Sequence, residues 1–187
     1  FLPDYSKRIY GLDIFRAIAI ILVVHGHGAF MLKDTPLENF PWIRLIDGVD
    51  LFFVLSGFLI GGILLKIIQK NNFVLSWKQV LLFWKRRWFR TLPNYYLILI
   101  INLVFVSTGI IKGRIDQFSY KFFLFIQNFS DPFYGFFWES WSLTIEEWFY
   151  ILLPVLFVLI LKLFPSKKGI LFTLALMIIF PLVYRII

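Results

Sequence analysis

The sequence predicts an all-α fold, a polytopic bundle of transmembrane helices with about five spanning helices. Hydrophobic residues make up 60% of the chain and the mean hydropathy is +0.81. Soluble domains are about 45–50% apolar, so the surplus is expected to face lipid. The apolar residues also fall into five runs close to the ~20 residues that cross a bilayer as a helix, and basic residues lie beside these runs.

The five predicted spans follow one another along the chain, and one further apolar segment is too short to be a span. The spans lie near residues 12–32, 48–65, 92–111, 141–161 and 169–187. Residues 118–129 are apolar and aromatic, but their length suits an interfacial or re-entrant element. With five spans and a cytoplasmic N-terminus, most Lys and Arg residues lie on the cytoplasmic side, and a sixth span would remove that bias.

The first span carries an arginine and a histidine on one face. His27 follows Arg16 by eleven residues, which places it within about 20° of the same face and roughly 16 Å further along the axis. Such groups are costly in a span unless they face protein or water. We therefore interpret them as functional, with Asp13 pairing with Arg16 at i, i+3. In the structural alternative, Arg16 extends to the headgroups and His27 lies at the outer interface.

A basic block, residues 85–90, precedes the third span. Arg87 and Arg90 share a helix face and Arg86 lies beside them. Guanidinium groups suit phosphate oxygens better than ammonium groups do, so the block predicts a phosphate-binding site. The alternative is an ordinary topology signal that binds anionic lipid headgroups.

Carboxylates occur in two further spans. Asp50 stands at the start of the second span, where it could orient the histidine of the first span or hold an acceptor hydroxyl. Glu146 and Glu147 are consecutive in the fourth span. Thr144 and Glu147 have the spacing of a capping box, but two carboxylates exceed what capping needs, so at least one is expected to face the bundle interior. Pro154 is expected to bend this helix and to leave a carbonyl free.

The sequence also excludes several kinds of site. The chain has no cysteine, which rules out disulfides, thiolate metal sites and an acyl-cysteine intermediate. His25 and His27 diverge on a helix, so no metal site is predicted. The net charge of +8 comes from residues beside the apolar runs and not from a nucleic-acid-binding motif, so no nucleic acid partner is predicted.

Taken together and in this order, four segments resemble the acyltransferase-3 family of integral membrane O-acyltransferases. They are LDIFRAIA at residues 12–19 with His27 eleven after the arginine, GVDLFFVLSGFLI at 48–60, Arg87-x-x-Arg90 followed by Pro93, and WSLTIEE at 141–147 followed by Phe149, Tyr150 and Pro154. The chain departs from the family pattern at Trp148, where Gln is common, and at Gly26, where an aromatic residue often precedes the histidine.

The resemblance implies a reaction and a setting. Family members transfer an acyl group, usually acetyl, from acyl-coenzyme A to a hydroxyl of a sugar or cell-envelope glycan, and no permanently bound cofactor is expected. Residues 1–187 are expected to be the N-terminal part of such a domain, since the chain begins with Phe1 and stops inside an apolar run. The expected location is a bacterial plasma membrane, with the N-terminus in the cytoplasm.

The resemblance maps the family histidine onto His27 and the first-helix arginine onto Arg16. His27 is the predicted general base or, in a rival version, carries the acyl group in a covalent intermediate. A carboxylate on the second ring nitrogen would fix the tautomer; the candidates are Asp50, Glu146 and Glu147. Arg86, Arg87 and Arg90 are predicted to bind the phosphates of the donor. Arg16 is predicted either to neutralise the pantetheine–phosphate end of the donor or to organise Asp13.

Two other classes of protein place similar residues inside a membrane. A proton-coupled transporter or channel lines its path with Arg, His and Glu, but it moves substrate or protons without consuming a thioester. A structural membrane subunit would tolerate the loss of His27 or Arg87. The sequence leaves open the acceptor, the length of the acyl group and the oligomeric state.

Overall fold

The computed structural model describes residues 9–28, 35, 48–129 and 135–186, and within them the regular structure is entirely helical. The α-helices described are α1 (Tyr10–Gly28), α2 (Gly48–Lys70), α3 (Trp77–Ser107), α4 (Lys121–Leu124), α5 (Trp141–Leu163) and α6 (Lys167–Ile186). The all-α prediction is confirmed. Three described stretches are long and apolar enough to cross a membrane: Gly48–Lys70, Trp77–Ser107 and Trp138–Leu163. The chain divides into two compact units, residues 1–63 and 64–187.

In the first unit, α2 begins close against α1. A Cβ atom on Gly48 would lie 2.6 Å from the Ala19 carbonyl oxygen and 2.7 Å from the Val23 nitrogen, so only glycine allows this approach. Ala19 is fully buried as a result. The last residues of the predicted first span, 29–32, lie outside the described residues.

In the second unit, α3 begins at Trp77 and not near residue 92, as the apolar run had suggested. Ser76 and Gln79 form a capping box: the Gln79 backbone N–H donates to the Ser76 hydroxyl at 3.4 Å, and the Ser76 N–H donates to the Gln79 side-chain oxygen at 2.8 Å. This cap satisfies backbone donors at the helix start. The basic block is therefore helical and lies inside α3.

The segment after α3 packs against α3 through aromatic side chains. Residues 118–129 contain only the four-residue α4, and Phe125 ends it in the left-handed conformation, at φ 55°. The Tyr95 hydroxyl donates to the Phe122 carbonyl at 2.9 Å. The buried residues of this core are Tyr95, Leu99, Val106, Phe122, Phe125 and Phe136. The segment is thus anchored to α3 and is not one continuous helix.

α5 and α6 pack against each other across a short connection. A Cβ atom on Gly169 would lie 2.2 Å from the Phe164 carbonyl oxygen, so the tight turn requires glycine at this position. Thr173 is fully buried, and its hydroxyl donates to the Gly169 carbonyl at 2.9 Å.

Candidate functional site

A group of polar and charged side chains connects α3 to α5, and we call it the α3–α5 network. On α3 its members are spaced i, i+3, i+4 and i+7, and on α5 they are spaced i, i+1 and i+4, so each set lies along one face of its helix. The members are Trp84, Arg87, Trp88 and Thr91 from α3, and Glu146, Glu147 and Tyr150 from α5.

Glu147 is the buried carboxylate of the network, with a relative exposure of 1%. One carboxylate oxygen accepts from the Trp88 indole N–H at 3.0 Å, and the other accepts from the Thr91 hydroxyl at 3.2 Å. Because a buried carboxylate is costly without such donors, Trp88 and Thr91 determine where this group lies. The expectation that at least one of the paired glutamates faces the interior is met by Glu147.

Arg87, Glu146 and Tyr150 form the second part of the network. Arg87 Nη2 donates to the Tyr150 hydroxyl and lies 3.6 Å from Glu146 Oε2. The Tyr150 hydroxyl donates in turn to Glu146 Oε1 at 2.7 Å. The Arg87 guanidinium carbon also lies 4.0 Å from the centroid of the Tyr150 ring, in the range of a cation–π contact. Charge-assisted hydrogen bonds and an ion pair therefore link the three side chains between α3 and α5.

Pro154 explains a further contact between α3 and α5. Proline lacks an N–H, so the carbonyl four residues earlier, that of Tyr150, loses its helical partner. The Trp84 indole N–H donates to this carbonyl at 2.9 Å. The carbonyl that the sequence predicted to be free is thus satisfied by a side chain from α3.

We expect Trp84→Phe to lower the free energy of unfolding by about 1–3 kcal/mol, because it leaves the Tyr150 carbonyl without a donor. In a Pro154→Ala background the restored N–H can bond to that carbonyl, so the same substitution should cost less. The measurement is unfolding in detergent across the double-mutant cycle, with the half-exposed Trp77→Phe as the control. An equal cost in both backgrounds would show that the indole hydrogen bond does not act as described.

The network lies inside both helices and not at their ends. Arg87 is ten residues into α3 and Tyr150 is nine residues into α5, about 15 Å and 13 Å from the respective helix starts. Beyond Tyr150, the apolar residues 151–161 separate it from Lys162. Arg87 therefore lies within a helix and not in a segment ahead of one, because α3 starts earlier than the apolar run suggests.

Trp148, next to the paired glutamates, fixes the segment that follows α4. Its indole N–H donates to the Phe125 carbonyl at 2.7 Å, and its ring lies 5.3 Å from that of Phe129. Nearby, the amide nitrogen of the buried Gln127 donates to the hydroxyls of Ser140 and Thr144. The Thr144 hydroxyl therefore accepts a hydrogen bond from Gln127 and does not form a capping box with Glu147. These contacts join the start of α5 to the aromatic core.

The structure brings some of the predicted site residues together and leaves others apart. Arg87, Glu146 and Glu147 meet in the network, whereas Arg86 and Arg90 are exposed on α3. The predicted pair on α1 is present, since Arg16 Nη1 lies 3.4 Å from Asp13 Oδ1.

The remaining predicted residues belong to the first unit. Asp50 is exposed in the first turn of α2. His27 belongs to the last turn of α1, and its side chain lies outside the described part of the structure. Among the described residues, no group of three or more His, Cys, Asp or Glu side chains could hold a metal ion.

Sequence reasoning missed four members of the network: Tyr150 of α5, and Trp84, Trp88 and Thr91 of α3. For the three on α3 the signal was present in their spacing relative to Arg87, which places all four residues on one face of the helix. The sequence alone obscures this signal, because a basic block ahead of an apolar run does not indicate that the block is part of one long helix.

Comparison with known proteins then decides the family. Residues 9–187 match the family model described as an acyltransferase domain, Acyl_transf_3. The chain belongs to the acyltransferase-3 family. The resemblance drawn from the four segments is therefore confirmed, and the Arg87–Glu146–Tyr150 contacts join two of those segments.

Similar curated members of the acyltransferase-3 family come from bacteria. The chain is 35% identical over 179 residues to the peptidoglycan O-acetyltransferase OatA of Listeria monocytogenes, covering 88% of this chain and 26% of that protein. It is 32% identical over 178 residues to the O-acetyltransferase OatA of Staphylococcus aureus, covering 88% of this chain and 27% of that protein. The chain thus spans about a quarter of the length of these relatives. No solved structure matches it.

Proposed function

We propose that this chain is the part of a membrane O-acyltransferase that transfers an acetyl group from acetyl-coenzyme A to a hydroxyl of a cell-envelope glycan, with peptidoglycan as the first acceptor to test. Family membership and relatives named as O-acetyltransferases support the reaction class. The observation that carries the proposal is the α3–α5 network, in which an arginine and two glutamates from separate family segments meet between membrane-type helices.

The proposed chemistry is a direct acyl transfer. The acceptor hydroxyl oxygen attacks the thioester carbonyl, a C–O ester bond forms, and the C–S bond to the coenzyme breaks. His27 accepts the hydroxyl proton and returns it to the departing thiolate, a role suited to a neutral imidazole near neutral pH. A covalent acyl-His27 intermediate is the alternative route.

The other predicted residues support this step. A carboxylate orients the imidazole, as in other histidine-dependent acyl transfers; the candidates remain Asp50, Glu146 and Glu147. Arginines of the basic block bind the phosphates of the donor, and Arg16 with Asp13 completes the charged face of α1. In this proposal the protein lies in the bacterial plasma membrane with the N-terminus in the cytoplasm, where the donor is made available.

The proposal is tested with membranes that contain the complete gene product, acetyl-coenzyme A labelled in the acetyl group, and purified peptidoglycan. We expect alkali-labile label to appear in the glycan, with one free coenzyme thiol released for each ester formed. Membranes lacking the protein are the control. Transport of substrate or protons without thiol release would instead identify a transporter, and retention of label on coenzyme A alone would contradict the proposed donor.

A further inference from the structure

The start of α3 lies at the same end of the second unit as the end of α5. Near the start of α3, the Trp84 indole donates to the Tyr150 carbonyl of α5. Further along α3, the Tyr95 ring stacks on the ring of Phe137, which precedes α5. α3 and α5 are therefore antiparallel. Residues 71–76 join the last turns of α2 to α3, and residues 164–166 join α5 to α6, so four helix ends meet on this side.

Every charged side chain at these four helix ends is a lysine. The set, which we call the lysine end, consists of Lys66, Lys70, Lys78, Lys162, Lys167 and Lys168. All of them are exposed, and among the described residues none lies within ion-pair distance of a carboxylate. Every Asp and Glu of the second unit falls between residues 116 and 147 of the sequence. The lysine end thus has no acidic residue of its own to offset the mutual repulsion of like charges.

Large apolar side chains are exposed among these lysines. Tryptophan and other apolar residues beside lysines, at the ends of apolar helices, are typical of the interface between a membrane and water. All three stretches that are long and apolar enough to cross a membrane also have one end here. Lipid headgroups are therefore the neighbours that this composition fits. The exposed apolar residues are Val74, Trp77, Leu163 and Phe164.

The chemistry of lysine indicates which lipids these are. An ammonium group is a compact, strongly hydrated charge on a flexible stem, so several of them can follow a charged surface without a fixed geometry. Each lysine close to an anionic leaflet strengthens binding by about fivefold. Zwitterionic headgroups carry no net charge and offer no comparable gain.

We propose that the lysine end is a binding surface for anionic phospholipids, whose headgroups contact the lysines while the exposed apolar side chains contact the acyl chains. The surface lies outside the α3–α5 network and does not include the arginines at residues 86–90. It adds a lipid partner to the protein, and it holds whether or not the proposed acyl transfer is correct.

The test is the binding of dansyl-labelled phosphatidylglycerol to the complete gene product in a neutral detergent, followed by energy transfer from tryptophan. Dansyl-labelled phosphatidylcholine measures the part of the binding that needs no net charge. The wild type is expected to bind phosphatidylglycerol at least about tenfold more tightly than phosphatidylcholine. Potassium chloride at about 0.5 M should remove most of this preference, because exposed charges are screened by salt.

Paired substitutions locate the surface. Lys66→Gln/Lys70→Gln and Lys167→Gln/Lys168→Gln are each expected to weaken phosphatidylglycerol binding by about tenfold or more, because each removes two of the charges. Binding of phosphatidylcholine should not change in either variant. Lys167→Arg/Lys168→Arg keeps both charges and should bind phosphatidylglycerol as the wild type does.

The matched control removes two positive charges at the other end of α3. Lys112→Gln/Arg114→Gln changes two exposed residues that follow this helix, and it should retain the wild-type preference for phosphatidylglycerol. An equal loss in this control and in the lysine variants would overturn the proposal, as would a wild type that binds both lipids equally well.

Two soluble competitors distinguish lipid from other anionic partners. Displacement of the labelled lipid by millimolar glycerol phosphate would show a site for free phosphate. Lysine-dependent binding of polyglutamate, without a preference for phosphatidylglycerol, would show a surface for an acidic protein. Either result would overturn the assignment to lipid, whereas failure of both competitors to displace phosphatidylglycerol would support it.

Discussion

His27→Ala is expected to lower acetyl transfer by roughly 10²–10⁴-fold, the contribution typical of a positioned general base. On α1, His27 follows Arg16 by eleven residues, a spacing that corresponds to the same helix face about 16 Å further along the axis. The Arg16–Asp13 ion pair on that helix is present, at 3.4 Å. The measurement is transfer of labelled acetyl groups to peptidoglycan by membranes with equal amounts of each variant.

The matched control is His25→Ala, which removes the same chemical group two residues earlier on a diverging face of α1. We expect it to retain transfer close to the wild-type rate. If His27→Ala transfers label as well as the wild type, His27 is not the base. If both alanine variants lose transfer to the same extent, the helix face does not distinguish His27 from His25.

Glu147→Ala is expected to cost about 3 kcal/mol or more of unfolding free energy. The substitution leaves the indole N–H of the partly buried Trp88 without its acceptor and opens a cavity between α3 and α5. Thr91 loses less, because its hydroxyl also lies 3.2 Å from the Arg87 carbonyl and can donate to that oxygen instead. The measurement is the unfolding transition of the purified protein in detergent, followed by tryptophan fluorescence.

Two control variants show whether a loss of stability in Glu147→Ala is specific to the buried carboxylate. Glu147→Gln keeps an oxygen acceptor of the same size and should cost less than Glu147→Ala. Glu139→Ala removes an exposed carboxylate just before α5 and should leave stability near that of the wild type. Equal stability of Glu147→Ala and wild type would contradict the role assigned to this carboxylate.

Much of the fold was predictable because a helix that spans a membrane needs a long run of apolar residues, which is visible in the sequence. Long apolar runs predicted an all-α chain, and the short run at 118–129 was set apart by its length alone. The start of α3 was missed, because Trp77–Arg90 mixes basic and apolar residues and so lacks the signal of a span. Its helical character depends on the Ser76–Gln79 cap and on the contacts of its inner face with α5.

The candidate site was predicted in part. The paired glutamates and the arginine block were identified because charges are rare and costly in apolar segments. Their partners were not identified, because Trp84, Trp88 and Tyr150 are ordinary aromatic residues in a chain that is 21% aromatic. Only when α3 and α5 lie side by side does Trp84 become a donor to the proline-freed carbonyl and Trp88 a donor to a carboxylate.

The sequence by itself determined the class of the protein, its family and the residue types available for chemistry. These follow from local properties: apolar run length, helical spacing and the order of four segments. The tertiary structure decided which of the charged residues belong together. Arg87 faces Glu146 and Tyr150, whereas Arg86 and Arg90 are exposed. The pairing of side chains between two helices depends on how α3 and α5 are rotated about their axes and on how far they are shifted along each other. Those two quantities are set by packing of the whole unit and are not encoded in the spacing within either helix.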